Sequence, residues 1–162
     1  MARRPPAGTP ALVALQRAGV AHTIHAYEHD PAAESYGLEA AQALDLDPAC
    51  VFKTLLAEVD GAPTVGIVPV SGQLDLKALA SARGGKRARM MEVAAAERLT
   101  GYVAGGISPL GQRKALPTVV DASAQAMPTI YVSGGQRGLD IGLAPADLVS
   151  LTGATYAPIS TG

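Results

Sequence analysis

Tryptophan is absent from this chain of 162 residues, and phenylalanine and cysteine each occur once. The lone Cys50 excludes an intrachain disulfide and a thiolate metal cluster, and it fits a reducing compartment. With so few aromatics, the core must be assembled from Ala, Val, Leu and Ile. No run reaches the roughly 18 consecutive apolar residues that a membrane span needs. The N-terminal MARRPPAGTP is basic and proline-rich but lacks the apolar centre of a signal peptide. A cytoplasmic protein is therefore expected, with residues 1–8 as a flexible tail and residues 9–162 as one domain. A large charge of one sign is also missing, since 13 basic side chains face 14 acidic ones. That balance argues against tight, non-specific nucleic-acid binding, whose strength scales with the phosphates neutralised.

Several catalytic signatures are absent too. Neither GxGxxG nor a P-loop occurs, and no GxSxG elbow presents a nucleophilic serine. Ser71, Ser108 and Ser133 each precede Gly or Pro in turn-like contexts. His22, His25 and His29 are spaced for a helix face, yet their segment alternates like a strand and no fourth ligand is evident, so no metal centre is expected. Cys50 sits among apolar residues without a base nearby, which suits a buried thiol better than a nucleophile. The chain offers binding groups more readily than a catalytic triad, and no cofactor is implied.

What is plentiful is Gly and Pro, 18 and 12 residues, which predicts many short elements joined by frequent turns. Thr9-Pro10 starts a helix that Gly19 ends. HTIHAYEHD alternates as a strand with Thr23, His25 and Tyr27 on one face. A helix is expected from about Gly37 to Leu44, and the Asp60-Gly61 pair marks a hairpin between VFKTLLAEV and PTVGIVPV. Asp75 caps a helix that stops at Gly84-Gly85, and a short helix follows over Glu92 to Leu99. PTVVDAS, TIYVSGG and GLDIGL read as strands, followed by a helix from Pro145 and a final edge strand in GATYAPI. No βαβ rhythm appears, which predicts an α+β domain with a mixed, mostly antiparallel sheet and helices outside it.

Three stretches could carry chemistry. Lys53 places an ammonium inside the apolar strand VFKTLL, where it either snorkels to water or waits for an anionic ligand. Residues 77–114 hold eight basic and two acidic side chains, with Arg83, Lys86, Arg87 and Arg89 crowded together. That cluster is either a solvated face or a contact for a phosphodiester backbone. In TGYVAGGISPLGQ the two glycines make a turn, or they let the backbone approach a ligand with free N–H groups. Asp140 reads either as a carboxylate facing a pocket or as a surface residue of an edge strand.

Taken together, YEHDP, VFKTLL, VPVSGQLDLKALA, LTGYVAGGISPLGQ, LPTVVDASA and TIYVSGGQRGLDIGLAPADL resemble the bacterial YbaK/EbsC proteins. These are free-standing Cys-tRNA(Pro) deacylases related to the insertion domain of prolyl-tRNA synthetase. The likeness runs in order from about residue 10 to 155. It implies a barrel-like mixed sheet surrounded by short helices, with a pocket for the 3′ end of a mischarged tRNA.

Position by position, the resemblance implies that Lys53 is the pocket lysine, with Thr54 beside it, and Tyr27 the pocket tyrosine. It places the loop glycine whose amide faces the aminoacyl group at Gly106, followed by Ser108. Ser133 and Asp140 match the remaining polar positions. The implied activity is trans-editing, in which the substrate's own cysteine thiol attacks its ester and leaves as a thiolactone. The implied partners are tRNA and, because the basic patch is small, prolyl-tRNA synthetase. Two alternatives stand beside it: a non-catalytic module that binds the aminoacyl end, and water-mediated hydrolysis of Ala-tRNA(Pro).

Overall fold

The computed structural model describes residues 8–33 and 35–161. The expected tail lies outside these residues except for Gly8. Thr9 caps helix α1 (Pro10–Ala18), its hydroxyl accepting from the Leu12 amide at 3.2 Å, and Gly19 ends the helix at φ 65°. The proline costs nothing at the first position, where an N–H would have no partner in the helix. Strand β1 (Thr23–Ala26) follows, then α2 (Tyr36–Ala43), capped by the Ser35 hydroxyl.

Strands β2 (Phe52–Val59) and β3 (Ala62–Pro69) form the expected hairpin. Asp60 and Gly61 both hold positive φ, 48° and 83°, the geometry of the primed turn that matches strand twist. Next come β4 (Gln73–Leu74), α3 (Leu76–Ala82) capped by Asp75, β5 (Ala88–Met90) and α4 (Val93–Thr100). The chain then runs irregularly to β6 (Thr118–Asp121) and a single 3-10 stretch, Ala122–Ala126. It closes with β7 (Ile130–Gln136), β8 (Leu139–Leu143), α5 (Pro145–Thr152), β9 (Thr155–Ala157) and β10 (Ser160–Thr161).

Three sheets result, ordered β5-β2-β3-β6-β9, β1-β8-β7 and β10-β4. Among the described strands β3–β6 and β6–β9 pair in parallel and the other pairs are antiparallel. The α+β class and the antiparallel bias are as expected, but the sheets do not close into a barrel. The two larger ones meet where Val51 bridges Tyr131 and the Tyr131 amide donates to the Cys50 carbonyl at 2.9 Å. That junction anchors the start of β2 between them.

The main core is mostly aliphatic, with Phe52 and Tyr102 as its buried aromatics: Leu12, Leu15, Ile67, Val120, Ile130, Ile141 and Leu148 are all buried in it. Burying each such side chain stabilises the fold by about 1.5–3 kcal/mol before the entropy cost of ordering it. Strand β5 was not legible in the sequence. Its residues are a strand because they pair with Ala57–Val59 and because the Asp60 carboxylate accepts from the Lys86 and Arg87 amides, each at 3.0 Å. None of the described helices is long and apolar enough to cross a membrane.

Candidate active site

A cavity of about 380 Å³ opens between the two larger sheets, walled by α2, α4 and the loop after Gly101, and all six residues Val51–Leu56 line it. Consecutive strand residues point to opposite faces, so a cavity that touches all six must lie along the strand's edge. That edge is open. β5 pairs only with Ala57–Val59, and the Met91 amide closes the ladder on the Leu56 carbonyl at 3.0 Å. Below it β2 has no ladder partner on this side until the Val51–Tyr131 bridge. The Val70 amide takes the Val51 carbonyl, so antiparallel alternation sends the main-chain groups of Lys53 and Leu55 toward β3 and those of Thr54 into the cavity edge.

Polar side chains collect along this edge. Lys53 is half-buried, and burial pushes its ammonium pKa down. Among the described residues no carboxylate pairs with it. A partly desolvated cation without a counterion is costly to hold. Beside it Thr54 is 9% exposed, and its hydroxyl has no hydrogen-bond partner among the described residues.

Asp140 lies on β8, the central strand of its sheet, and is 6% exposed. The edge-strand surface reading is therefore overturned: β1 and β7 flank it on either side. Burial pushes its carboxyl pKa up to about 7. Ser133 stands opposite it on β7 and accepts from the Gly135 amide at 3.2 Å, which leaves its own O–H free to donate. Tyr27 follows β1, held by its amide to the Gly138 carbonyl at 2.9 Å. Burial, with the nearby Asp140 charge adding to it, pushes its phenol pKa up to about 12.

Two expected positions are not brought to the cavity. Gly106 is buried, and its amide donates to the Val103 carbonyl at 2.9 Å, so it is not available to an aminoacyl group. Gly106 is glycine for packing: a Cβ there would lie 2.8 Å from the Gln136 Cα. Ser108 is wholly buried, and its hydroxyl oxygen accepts from the Leu110 amide at 3.2 Å. Their neighbours Gly105 and Ile107 line the cavity instead. Gly105 holds φ 83°, and no acceptor for its N–H appears among the described residues. The Gly-Gly pair was the signal, and the sequence could not say which member faces inward.

Arg83, Lys86, Arg87 and Arg89 are all exposed. On β5 Met90 lines the cavity, whereas the adjacent Arg89 is not among the lining residues and its Nε donates to the Glu58 carboxylate at 2.9 Å. Cys50 is partly exposed; burial and then the Asp47 charge push its thiol pKa up, and Sγ donates to the Asp47 carbonyl at 3.1 Å. It is not an activated nucleophile. The histidines are separately engaged: His22 with the Val20 carbonyl, His25 with Thr23 and His29 with Glu39. Among the described residues no three His, Cys, Asp or Glu side chains cluster as metal ligands.

An open strand edge, the Lys53 ammonium and a glycine loop thus surround one cavity. The chain belongs to the aminoacyl-tRNA editing domain family, whose model matches residues 30–151. It is 40% identical over 122 residues, 75% of this chain and 74% of the other, to a protein of Enterococcus faecalis that bears the name Cys-tRNA(Pro)/Cys-tRNA(Cys) deacylase EbsC. The likeness to the YbaK/EbsC proteins seen in the sequence thus holds. Two solved structures share the fold. One comes from work on epitope grafting onto scaffold proteins, with a TM-score of 0.84, 26% identity, and 98% and 99% of the two chains covered. The other is described as a trans-editing enzyme for prolyl tRNA synthetase, with a TM-score of 0.84, 24% identity, and 99% and 100% covered.

Proposed function

We propose that this protein clears cysteine from Cys-tRNA(Pro), and that the cavity positions the aminoacyl end so that the substrate performs its own cleavage. The cysteine sulfur attacks the ester carbonyl carbon, forming a C–S bond. The C–O bond to the ribose breaks, the ribose oxygen takes up the thiol's proton, and a four-membered thiolactone leaves. Atoms balance without a protein nucleophile, which accords with an unactivated Cys50 and with histidines that bond to Val20, Thr23 and Glu39 rather than to a serine. Well-oriented intramolecular attack can lower a barrier by about 7–11 kcal/mol, so holding thiol and carbonyl in register is the main task of the site.

Each wall then has a role. Lys53 meets the terminal phosphodiester or ribose oxygens, the anionic partner it lacks within the protein. The Gly105 N–H takes the carbonyl oxygen as charge develops on it. Asp140 and Tyr27 receive the α-amino group, and Ser133 and Thr54 supply the remaining hydroxyls. Lys86, Arg87 and Arg83 run away from the rim as contacts for the acceptor-stem backbone, with Arg89 beside them. That patch is small and exposed, which favours delivery of the tRNA by prolyl-tRNA synthetase over independent capture.

The observation that carries this reading is the partly desolvated Lys53, without a protein counterion, on the open edge of β2. Incubation with Cys-tRNA(Pro) and Ala-tRNA(Pro) tests it. The enzyme clears the first and leaves the second, which has no thiol. A non-catalytic module would protect both, and a water-activating hydrolase would clear the alanyl ester.

A further inference from the structure

At the mouth of the cavity the side chain of Tyr36, the first residue of α2, is packed by parts from three separate segments, one of them the His29 ring, whose centre lies 5.8 Å away. The guanidinium carbon of Arg137, from the β7–β8 turn, lies 4.9 Å from the centre of its ring. Gly105 packs against the ring from the loop after α4: a Cβ there would sit 2.8–2.9 Å from three ring carbons, so only glycine permits this approach. Arg137 is pinned in turn, because its Nε donates to the Ala104 carbonyl at 2.8 Å, next to that glycine. One hydrogen bond thus fixes the guanidinium plane and leaves its terminal N–H groups unspent on Ala104.

Neither residue contributes to the buried core. Tyr36 is 36% exposed and Arg137 is exposed, and ordering an arginine over an aromatic ring costs side-chain entropy. The surroundings are apolar and open as well, since Met90 and Val93 line the cavity while 46% and 60% exposed. Deeper in, the walls are polar and nearly closed at Thr54 and Asp140. A ligand that fits this gradient carries its polar reacting end inward and a flat, π-faced group outward.

We infer that the Tyr36–Arg137 pair is a stacking platform for the terminal nucleobase of the aminoacylated strand. The inference rests on the proposed substrate class and adds a residue pair to its recognition. Planar guanidinium and aromatic surfaces bind bases by their faces, with little regard to sequence, and each such stack changes affinity by roughly 5- to 150-fold. The base anchors the ribose, and the ribose carries the ester to Gly105 and Lys53. Tyr36 and Arg137 are positioning residues in this scheme, since neither touches the reacting atoms.

The absence of tryptophan makes the test direct. Tyr36→Trp puts one fluorophore into the full chain, to be titrated with the uncharged RNA ACCA and with the same strand ending in an abasic ribose. ACCA should quench it saturably, the abasic strand should bind at least about tenfold more weakly, and Arg137→Ala in that background should weaken ACCA by a similar factor. Anisotropy of the two labelled strands on the wild type and on Arg137→Ala gives the same comparison without the tryptophan. Equal binding of the two strands, or quenching by prolyl-tRNA synthetase and not by RNA, overturns the platform. Wild-type deacylation of Cys-tRNA(Pro), run alongside, separates the two proposals. Turnover without base-dependent binding removes the platform and leaves the enzyme, whereas base-dependent binding without turnover does the reverse.

Discussion

Ser133 and Asp140 are cross-strand partners in the β7–β8 ladder, so hydroxyl and carboxyl leave the same face of the sheet and enter the same cavity. The register slips immediately afterwards, between Ser133 and Gln136. That irregularity turns the strand toward the loop, where Gln136 packs on Gly106 and Arg137 reaches Ala104. One break in a ladder thus serves both the floor and the mouth of the site.

The buried carboxyl has a consequence for stability. Its folded pKa of about 7 lies above the ordinary carboxylate value near 4, so Asp140 favours the folded state fully at low pH and loses that contribution as pH rises from about 4 through 7. Asp140→Asn should therefore melt higher than the wild type at pH 8, by an amount on the order of a few kcal/mol, with the gap closing by pH 4. The same variant should lose deacylation. Thermal melts at the two pH values check the first part, and a wild type that gains stability between pH 5 and 8 relative to the variant would contradict it.

Thr54 offers a cleaner separation of stability from function. Its buried hydroxyl has no partner, and an unsatisfied buried polar group costs about 1–3 kcal/mol. Thr54→Val keeps the shape and removes the hydroxyl, so it should melt no lower than the wild type. If the hydroxyl serves the substrate, kcat/KM for Cys-tRNA(Pro) should fall by roughly tenfold, the loss of one hydrogen bond. Full activity in the valine variant would take Thr54 out of the site.

Much of this was legible in residues. Asp60-Gly61 named its own turn, Thr9-Pro10 and Gly19 bounded α1, and the run VFKTLL announced a buried strand with a misplaced charge. What was hidden depended on distant pairing. β5 has no strand-like composition and exists because Asp60 and the end of β2 hold it. The inward glycine is Gly105 because Gly106 is pressed against β7, a contact made across thirty positions of chain. The central place of Asp140 required β1, far earlier in the chain, to pair on its outer side.

The basic cluster should be read through salt. If Lys86 and Arg87 contact acceptor-stem phosphates, Lys86→Ala and Arg87→Ala should each weaken tRNA binding and reduce the slope of log K against log salt by about 1, with kcat for bound substrate unchanged. Arg89→Ala should do less, because that side chain already pairs with Glu58 at 2.9 Å. Binding isotherms at several salt concentrations give the slopes, and identical slopes for all variants would assign the cluster to a solvated face.

The central claim is that the Lys53 ammonium is held for the end of an aminoacylated nucleic acid. Single-turnover release of cysteine from Cys-tRNA(Pro) by Lys53→Ala, with a thermal melt of the same sample, tests it most directly. The account predicts a folded protein, as stable as the wild type or more so because a partly desolvated charge has been removed, with release reduced to the uncatalysed background. A folded Lys53→Ala that clears Cys-tRNA(Pro) at the wild-type rate would contradict it.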